Sequence, residues 1–541
     1  MKKYILLLFC LYGIIQTFTS CDESFLDEDI YSYYAPETLT DSLGFEASVV
    51  GLHNQLSQYF SKSDQQGWLC VWQVGTDIAY SAQFQGIEVP YFNYGNLIST
   101  DAAASFTWNW AYTMINNANV IIKNIEDPEL TGMTQNNKNN INAEARFFRA
   151  YAYNTLATCF GKVPVVIEPI AEPKTDFVRD PLDVVNDLIE EDLLFAASNL
   201  PSIDEVKQVN GKALYSRANK AMANQLLAEV YLRMNKPDLA EQQCNAIINS
   251  GKFSLTTSRY GAKASQPGDP FSDMFFYGNQ RYGQGNKEAI WAMEQENPST
   301  VVGGITNAPQ QRRVWGAAYY QITGMTICDS LGGRGICRMR LNNWVLYNLY
   351  EPSDMRNSRY SIRRRFVYND ISKPATYGLP VPYAGADTVF KICPYTTKWG
   401  QFDPNDVFGW AMIKDFILMR LGETYLLLAE AQFKLNRPED AAASINVIRA
   451  RANATPITAD QVTLDYILDE RARELVGEEN RRMTLMRTGT LVDRALRLNV
   501  DVGAPNPITN LSNTHLLLPI PQSEIDLNKD AVLEQNPGYG D

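Results

Sequence analysis

Residues 414–453 read KDFILMRLGETYLLLAEAQFKLNRPEDAAASINVIRARAN, and after a polar connection residues 464–489 read LDYILDERARELVGEENRRMTLMRTG. Apolar side chains recur at helical spacing through Leu421, Tyr425, Leu428, Ala429 and Phe433, and again through Ala441, Ile445 and Ile448. Asn436 and Pro438 break the run, so the pattern predicts two helices joined by a tight turn. Ala429 and Ala441 stand twelve residues apart, where two antiparallel helices cross closely over small side chains. This is the spacing of a tetratricopeptide helical hairpin.

The same unit stands earlier in the chain. Leu226-Leu227-Ala228-Glu229 answers Leu427-Leu428-Ala429-Glu430, and Asn235, Pro237, Ala240, Asn245 and Ile247 answer Asn436, Pro438, Ala441, Asn446 and Ile448. Every pair lies 201 positions apart. A constant offset over nine positions marks an internal repeat rather than two unrelated amphipathic hairpins.

Six short pieces then follow one another to the C-terminus. They are RLGETYLLLAEA from Arg420, INVIRAR from Ile445, LDERAREL from Leu468, Arg487-Thr488-Gly489, Leu518-Pro519-Ile520-Pro521 and Gln535-Asn536-Pro537-Gly538-Tyr539. In this order they resemble the SusD/RagB family of outer-membrane nutrient-binding lipoproteins. AEARFFRAY from Ala143 and Gly161-Lys162-Val163-Pro164 are similar to family segments as well. One departure is Asn480-Arg481-Arg482-Met483, where the family usually has Gly-x-Arg and then an aromatic. The resemblance spans nearly the whole mature chain. It implies a mainly α fold in which tetratricopeptide-like hairpins form a scaffold, at about 40–250 and 411–541. A long loop-rich insertion at about 251–410 is carried on it, and residues 21–541 form one domain.

The composition fits a globular chain. It is 45% hydrophobic and 20% charged over 541 residues, enough to bury more than one core. The N-terminus reads as a signal peptide over residues 1–20, with Lys2-Lys3 followed by an apolar run at 4–15 too short to span a bilayer. Thr19-Ser20-Cys21 is similar to a bacterial lipoprotein cleavage site, with Phe18 where Leu is usual, and this predicts lipidation of Cys21. Several acyl chains, at roughly 0.8 kcal/mol per buried CH₂, make such an anchor effectively permanent. Asp22-Glu23 resemble the acidic signal that sends such lipoproteins to the cell surface in Bacteroidetes-type bacteria.

Net charge is −13 and becomes about −15 once Lys2 and Lys3 leave with the leader. No basic stripe stands out, which excludes nucleic acid as the expected partner. The single basic run, Arg363-Arg364-Arg365, reads as a solvated face. His53 and His515 lie far apart and neither sits in a metal-ligand spacing, so no metal site and no cofactor are expected. Cys10 leaves with the leader and Cys21 is the anchor. Cys159 and Cys244 fall in apolar helical patterns and read as core. Cys328 and Cys337 flank a Gly-rich loop that lets them meet, and whether they form a disulfide is left open by the sequence.

Between these landmarks the patterns predict helices at 43–60, 108–125, 138–160 and 181–199, and an irregular, aromatic-rich segment at 67–95. From Gly251 to about Gly409 the composition turns to Gly, Pro, Ser and aromatics, with a short strand at 289–293 and a helix-like stretch at 344–351. An insertion this long usually carries function, so the helices read as scaffold and the loops as working surface.

Enzymatic patterns fail in turn. The densest carboxylates are Asp469, Glu470, Glu474, Glu478 and Glu479, interleaved with arginines along one stretch. Asp469–Arg473 and Glu478–Arg482 are i,i+4 pairs, which reads as a salt-bridged helix and not as two carboxyls facing across a cleft. There is no dinucleotide or phosphate loop and no Gly-x-Ser-x-Gly elbow. The chain is expected to bind rather than to catalyse.

The aromatic content points to what it binds. With 9 Trp, 29 Tyr and 23 Phe, the chain has more rings than its helices need. Flat rings pack on the C–H faces of sugars while polar neighbours bond the hydroxyls. Trp72, Tyr80 and Tyr91 around Asp77, and Trp315, Tyr319 and Tyr320 in the insertion, lie outside helical periodicity and are the candidate ligand residues. The family resemblance implies a lipid-anchored, outward-facing outer-membrane protein that binds a glycan. It further implies a partner, a SusC-like TonB-dependent transporter over which the protein sits and to which it hands oligosaccharides. Peptide binding, as in some relatives of the family, is the alternative.

Overall fold

The computed structural model describes residues 39, 41–61, 65–299, 301, 304, 309–400 and 412–540. The leader, Cys21 and nearly all of residues 25–40 lie outside them. The fold is mainly helical. Its principal helices are α1 Ser42–Phe60, α2 Ala102–Ile125, α3 Gln135–Phe160, α4 Leu182–Asn199, α5 Lys220–Arg233, α6 Pro237–Asn249, α7 Leu421–Lys434, α8 Pro438–Arg451, α9 Leu464–Leu475, α10 Arg481–Arg487 and α11 Leu491–Leu498. α2 begins at Ala102, ahead of the 108–125 expected, because the Asp101 carboxylate accepts the Ala104 N–H at 2.7 Å and caps it.

The helices stack in chain order: α3 lies against α2 and α4, α5 against α4 and α6, α6 against α7, and α7 against α8 and α9. The two repeats, α5–α6 and α7–α8, are therefore neighbours in space. Their turns match atom for atom. Asn235 and Asn436 take left-handed φ values of 55° and 57°. The next amides, Lys236 and Arg437, donate back to Tyr231 O at 2.8 Å and Gln432 O at 2.9 Å. This is the Schellman stop, with Asn as the left-handed residue. Pro237 and Pro438 then open the second helices, where a missing N–H costs nothing. Ala228, Ala240, Ala429 and Ala441 are all fully buried. Ala228→Leu or Ala429→Leu is expected to lower stability by roughly 1–3 kcal/mol through overpacking. A fall in the urea midpoint at unchanged m-value is the measurement.

Among the described residues, those between α6 and α7 leave the stack and return to it. β1 is Ala79–Ser81, and β2 Gln208–Val209 with β3 Lys212–Ala213 forms a small hairpin before α5. In the insertion, β4 Ala289–Met293 is wholly buried and pairs antiparallel with β8 Phe416–Arg420, which runs straight into α7. β5 Met339–Leu341 pairs antiparallel with β1, and β6 Ile362–Arg363 with β7 Tyr395–Thr396. The stretch expected to be helical at 344–351 is a single π turn, Trp344–Asn348. The insertion has a small core of its own in which Tyr319, Phe366 and Tyr395 pack together.

The disulfide in that core is Cys337–Cys393, and Cys328 stays free. The Gly-rich turn closes on itself through Gly333 N–H to Cys328 O at 2.9 Å. Ile336, Cys337 and Arg338 instead bond the backbone of Arg313, Gly316 and Val314, which carries Cys337 away from Cys328.

The charged C-terminal motif also differs from the expected i,i+4 pairing. Asp469 bonds Arg494 at 2.6 Å, and Arg473 bonds Glu470 at 2.7 Å. Arg482 donates to Val71 O, Val74 O and Tyr91 O, and to the Tyr94 hydroxyl, not to Glu478. Apart from Glu470–Arg473, which lies within α9, the pairs run across the fold, and most of these side chains are buried. Arg420 reaches Glu288 at 2.7 Å, Glu474 at 2.5 Å and Glu478 at 2.7 Å, and Arg451 and Arg356 reach the same Glu474. Gly422 has no side chain because the cluster occupies its place. A Cβ there falls 2.4 Å from Arg420 Nη1 and 2.8 Å from Glu474 Oε1.

A second ion group joins α1 to α3. Glu144 accepts from Arg217 at 2.6 Å and contacts His53 at 2.7 Å. Burial raises its carboxyl, and Arg217 and His53 outweigh that and hold it down at about 2 against an ordinary 4.5. A depressed carboxylate stabilises the fold fully above the unfolded pKa and loses that contribution as pH falls from about 4.5 to about 2. Glu144→Gln is expected to lose on the order of 2–3 kcal/mol at neutral pH and to flatten the acid limb of the stability curve. Urea melts at a series of pH values test both.

Candidate ligand cavity

A cavity of about 160 Å³ opens where the helical stack meets the insertion. Four tryptophans line it: Trp72 from the 67–95 segment, Trp291 from β4, Trp315 from the short helix Gln311–Trp315, and Trp399. Tyr59 and Tyr151 add rings from α1 and α3, with Tyr59 stacked on Trp72 at 6.3 Å and Tyr151 edge-on to Trp291 at 5.6 Å. The Trp399 indole donates to Gly477 O at 2.8 Å, and Gly477 has φ 79°. A Cβ there meets Thr396 at 3.0 Å, the Trp399 Nε1 at 3.5 Å and Trp315 at 3.8 Å, so the turn uses glycine to bring two rings to one wall.

The polar lining is what distinguishes the cavity from a packing gap. Nε1 of Trp72, Oε1 of Gln73 and Oε1 of Gln311 have no hydrogen-bond partner among the described residues, although each side chain is at most 7% exposed. Buried polar atoms are normally satisfied, and an empty cavity of purely structural origin is apolar. Glu229 faces the same space and accepts from Asn154 at 3.1 Å. Its counterpart in the second repeat, Glu430, is buried and held by Arg487 at 2.7 Å. Glu229 has no cation within ion-pair distance among the described residues. Three more carboxylates on this wall are neutralised: Glu423 by Arg471, Glu479 by Arg471 and Arg481, and Glu478 by Arg420. Burial raises Glu423 in spite of Arg471, and the two arginines hold Glu479 low.

The seven residues singled out from the sequence fall in five places. Trp72 and Trp315 meet in the cavity. Asp77 is fully buried, gripped by Arg481 at 2.6 Å and Arg494 at 2.7 Å, and offers no surface to a ligand. Burial raises its carboxyl, and the two arginines overcome this and lower it. The Arg481-Arg482 pair that departs from the family pattern is thus the clamp on the 67–95 segment. Tyr91 is fully buried and donates to Asp101 at 2.7 Å. Tyr319 is buried in the insertion core with its hydroxyl on Cys328, and Tyr320, half-buried, lies edge-on to it. Tyr80 is beneath the Arg340 guanidinium, 5.4 Å from ring centre to cation. Gln73, Gln311 and Glu229 carried no sequence signal for a site, since lone amides have no motif and Glu229 looked like the twin of Glu430. Among the described residues no group of three His, Cys, Asp or Glu is arranged to hold a metal, and no helix is long and apolar enough to cross a membrane.

Comparison with known proteins agrees with the fold. Residues 392–539 match the model of the SusD family, and residues 25–232 match the model described as starch-binding associating with outer membrane. SusD-like protein P25 of Formosa agariphila is 26% identical over 96% of this chain and 97% of its own length. A laminarin-binding SusD-like protein superposes with a TM-score of 0.67 at 22% identity, over 92% of this chain and 99% of that one. Surface glycan-binding protein A from Bacteroides thetaiotaomicron superposes with a TM-score of 0.70 at 20% identity, again over 92% and 99%. With SusD-type models matching residues 25–232 and 392–539 and a relative spanning 96% of its length, the chain belongs to the SusD/RagB family.

Proposed function

We propose that this protein is a cell-surface lipoprotein, anchored through Cys21, that binds a glycan and passes it to a SusC-like TonB-dependent transporter. The observation that carries glycan binding is the ring-walled cavity with unpartnered polar atoms. Rings line the space, and the Glu229 carboxylate with the Gln73 and Gln311 side chains on the same wall are the polar groups for sugar hydroxyls. At about 160 Å³ the space is smaller than the roughly 300–1,000 Å³ of drug-sized sites, so it suits one sugar unit of a chain. Relatives named for laminarin and surface-glycan binding support the same reading. The outer-membrane family description supports the location, and the family resemblance supports the transporter. Three of the four carboxylates on the cavity wall, Glu423, Glu478 and Glu479, are tied to arginines, which favours capture over hydrolysis.

Titration calorimetry with a panel of oligosaccharides and short peptides tests it. An oligosaccharide is expected to bind, and Glu229→Gln is expected to weaken it roughly tenfold while melting like wild type, since a hydrogen bond to a charged group is worth about 1.5–3 kcal/mol. Binding of peptides alone would transfer the protein to the peptide-uptake branch of the family.

A further inference from the structure

The arginine run read as a solvated face, Arg363-Arg364-Arg365, makes no ion pair with any carboxylate among the described residues, in a chain whose net charge is −13. Arg363 donates to Ser330 O at 2.7 Å, and Arg364 donates to Leu346 O at 2.8 Å and Asn357 Oδ1 at 2.6 Å. Those two charges are held by neutral acceptors and keep their positive field. Arg365 is exposed, and its guanidinium lies 4.3 Å over the Tyr383 ring. The Tyr383 hydroxyl is 3.4 Å from that of Tyr347, whose side chain is 52% exposed. Beneath them Arg340 sits between the Tyr80 ring and Asp501, at 3.5 Å from the carboxylate, and also reaches Tyr383 Oη at 3.5 Å. The surface therefore presents an exposed ring, two adjacent phenol hydroxyls and a guanidinium that a neighbouring ring already holds in place.

We propose that Arg365, Tyr383 and Tyr347 form a second subsite, apart from the tryptophan cavity, that takes an anionic group on the glycan: a uronate carboxylate or a sulfate ester. A guanidinium fork matches either anion with two parallel N–H bonds, the phenol hydroxyls donate to its remaining oxygens, and the open Tyr347 face stacks on the sugar that bears it. The cavity suits this group less well, because the Glu229 carboxylate, with no cation at ion-pair distance among the described residues, faces it there. The two sites divide the work, an uncharged unit in the cavity and a charged one on the tyrosine shelf. This subsite rests on the reading of the protein as a glycan binder.

Affinity electrophoresis of the mature chain in detergent tests it, with gels containing uronate polysaccharides (pectin, alginate), a sulfated one (carrageenan) or uncharged ones (galactan, mannan, xylan). At least one charged polysaccharide is expected to retard the protein. Which class does so separates carboxylate from sulfate. Arg365→Ala is expected to weaken that interaction roughly tenfold, and to leave any uncharged ligand's affinity unchanged. Tyr347→Ala weakens it too, while Glu229→Gln acts on uncharged ligands. Retardation by uncharged polysaccharides alone, or by a charged one equally in wild type and Arg365→Ala, overturns the anionic subsite and leaves glycan capture standing. Retardation by none of them overturns both.

Discussion

Arg420→Ala should lower the unfolding free energy by roughly 3–5 kcal/mol, the cost of leaving a buried charge without its partner. The guanidinium is 1% exposed and bonds three glutamates, Glu288, Glu474 and Glu478, none of them more than 6% exposed. Burial alone raises Glu474, and Arg451, Arg420 and Arg356 reverse this and drive it well below the usual carboxylate range. Removing Arg420 leaves Glu288 with Arg451 alone and Glu478 with Lys398 alone, each without a cation it is built around. Arg497→Ala is the control, since its pairs to Asp465 and Asp493 are nearly half exposed and worth about 0–1 kcal/mol. Urea denaturation of both variants gives the comparison. A loss below about 1 kcal/mol for Arg420→Ala would mean that water reaches the cluster.

The second large effect is on the ligand. Trp315→Ala should weaken oligosaccharide binding by about thirtyfold, the cost of roughly 2 kcal/mol or more for truncating a central aromatic anchor. The same ring is 2% exposed, so the variant should also lose roughly 3–5 kcal/mol of stability. The two effects separate at Trp72. Its Nε1–H has no hydrogen-bond partner among the described residues, so Trp72→Phe removes an unpaired donor at the cavity wall without breaking a protein hydrogen bond among them. Its stability should fall only by the lost ring volume, while affinity falls about tenfold. Calorimetry well below the melting temperature of each variant measures both. Unchanged binding in both would move the glycan site out of the cavity, towards the tyrosine shelf.

Much of the scaffold was legible because its signals are local. The left-handed asparagines, the helix-opening prolines and the small crossing residues each act within one turn, so Asn235 and Asn436 gave the hairpins without reference to anything distant. The charged motif was legible as a motif and not as a structure. Asp469 and Arg473 are spaced to pair on a helix, and burial sends them instead to Arg494 and to Glu470. The site was half legible for the same reason. Aperiodic aromatics do mark the segments that build it, but periodicity says nothing about which side of a loop faces inward. Trp72 and Asp77 stand five residues apart, and one lines a cavity while the other is locked between two arginines.

The return of the chain through the β4–β8 pair makes the insertion a cassette with fixed rivets. Two of its side chains, Glu288 and Arg356, are built into the buried ion cluster of the scaffold, and β4 is paired to the strand that enters α7. Between those rivets Tyr319, Phe366 and Tyr395 gather in the insertion's own small core, while Trp315, Leu341 and Trp399 pack into the main one. Closing a longer loop costs only about 0.6 kcal/mol for each doubling of its length. New segments can therefore be spliced between Phe366 and Val381, beside the arginine run and ahead of the scaffold contacts of Lys398 and Trp399, at little expense to the helical stack. Ligand choice in such a molecule is free to drift while the architecture stays put.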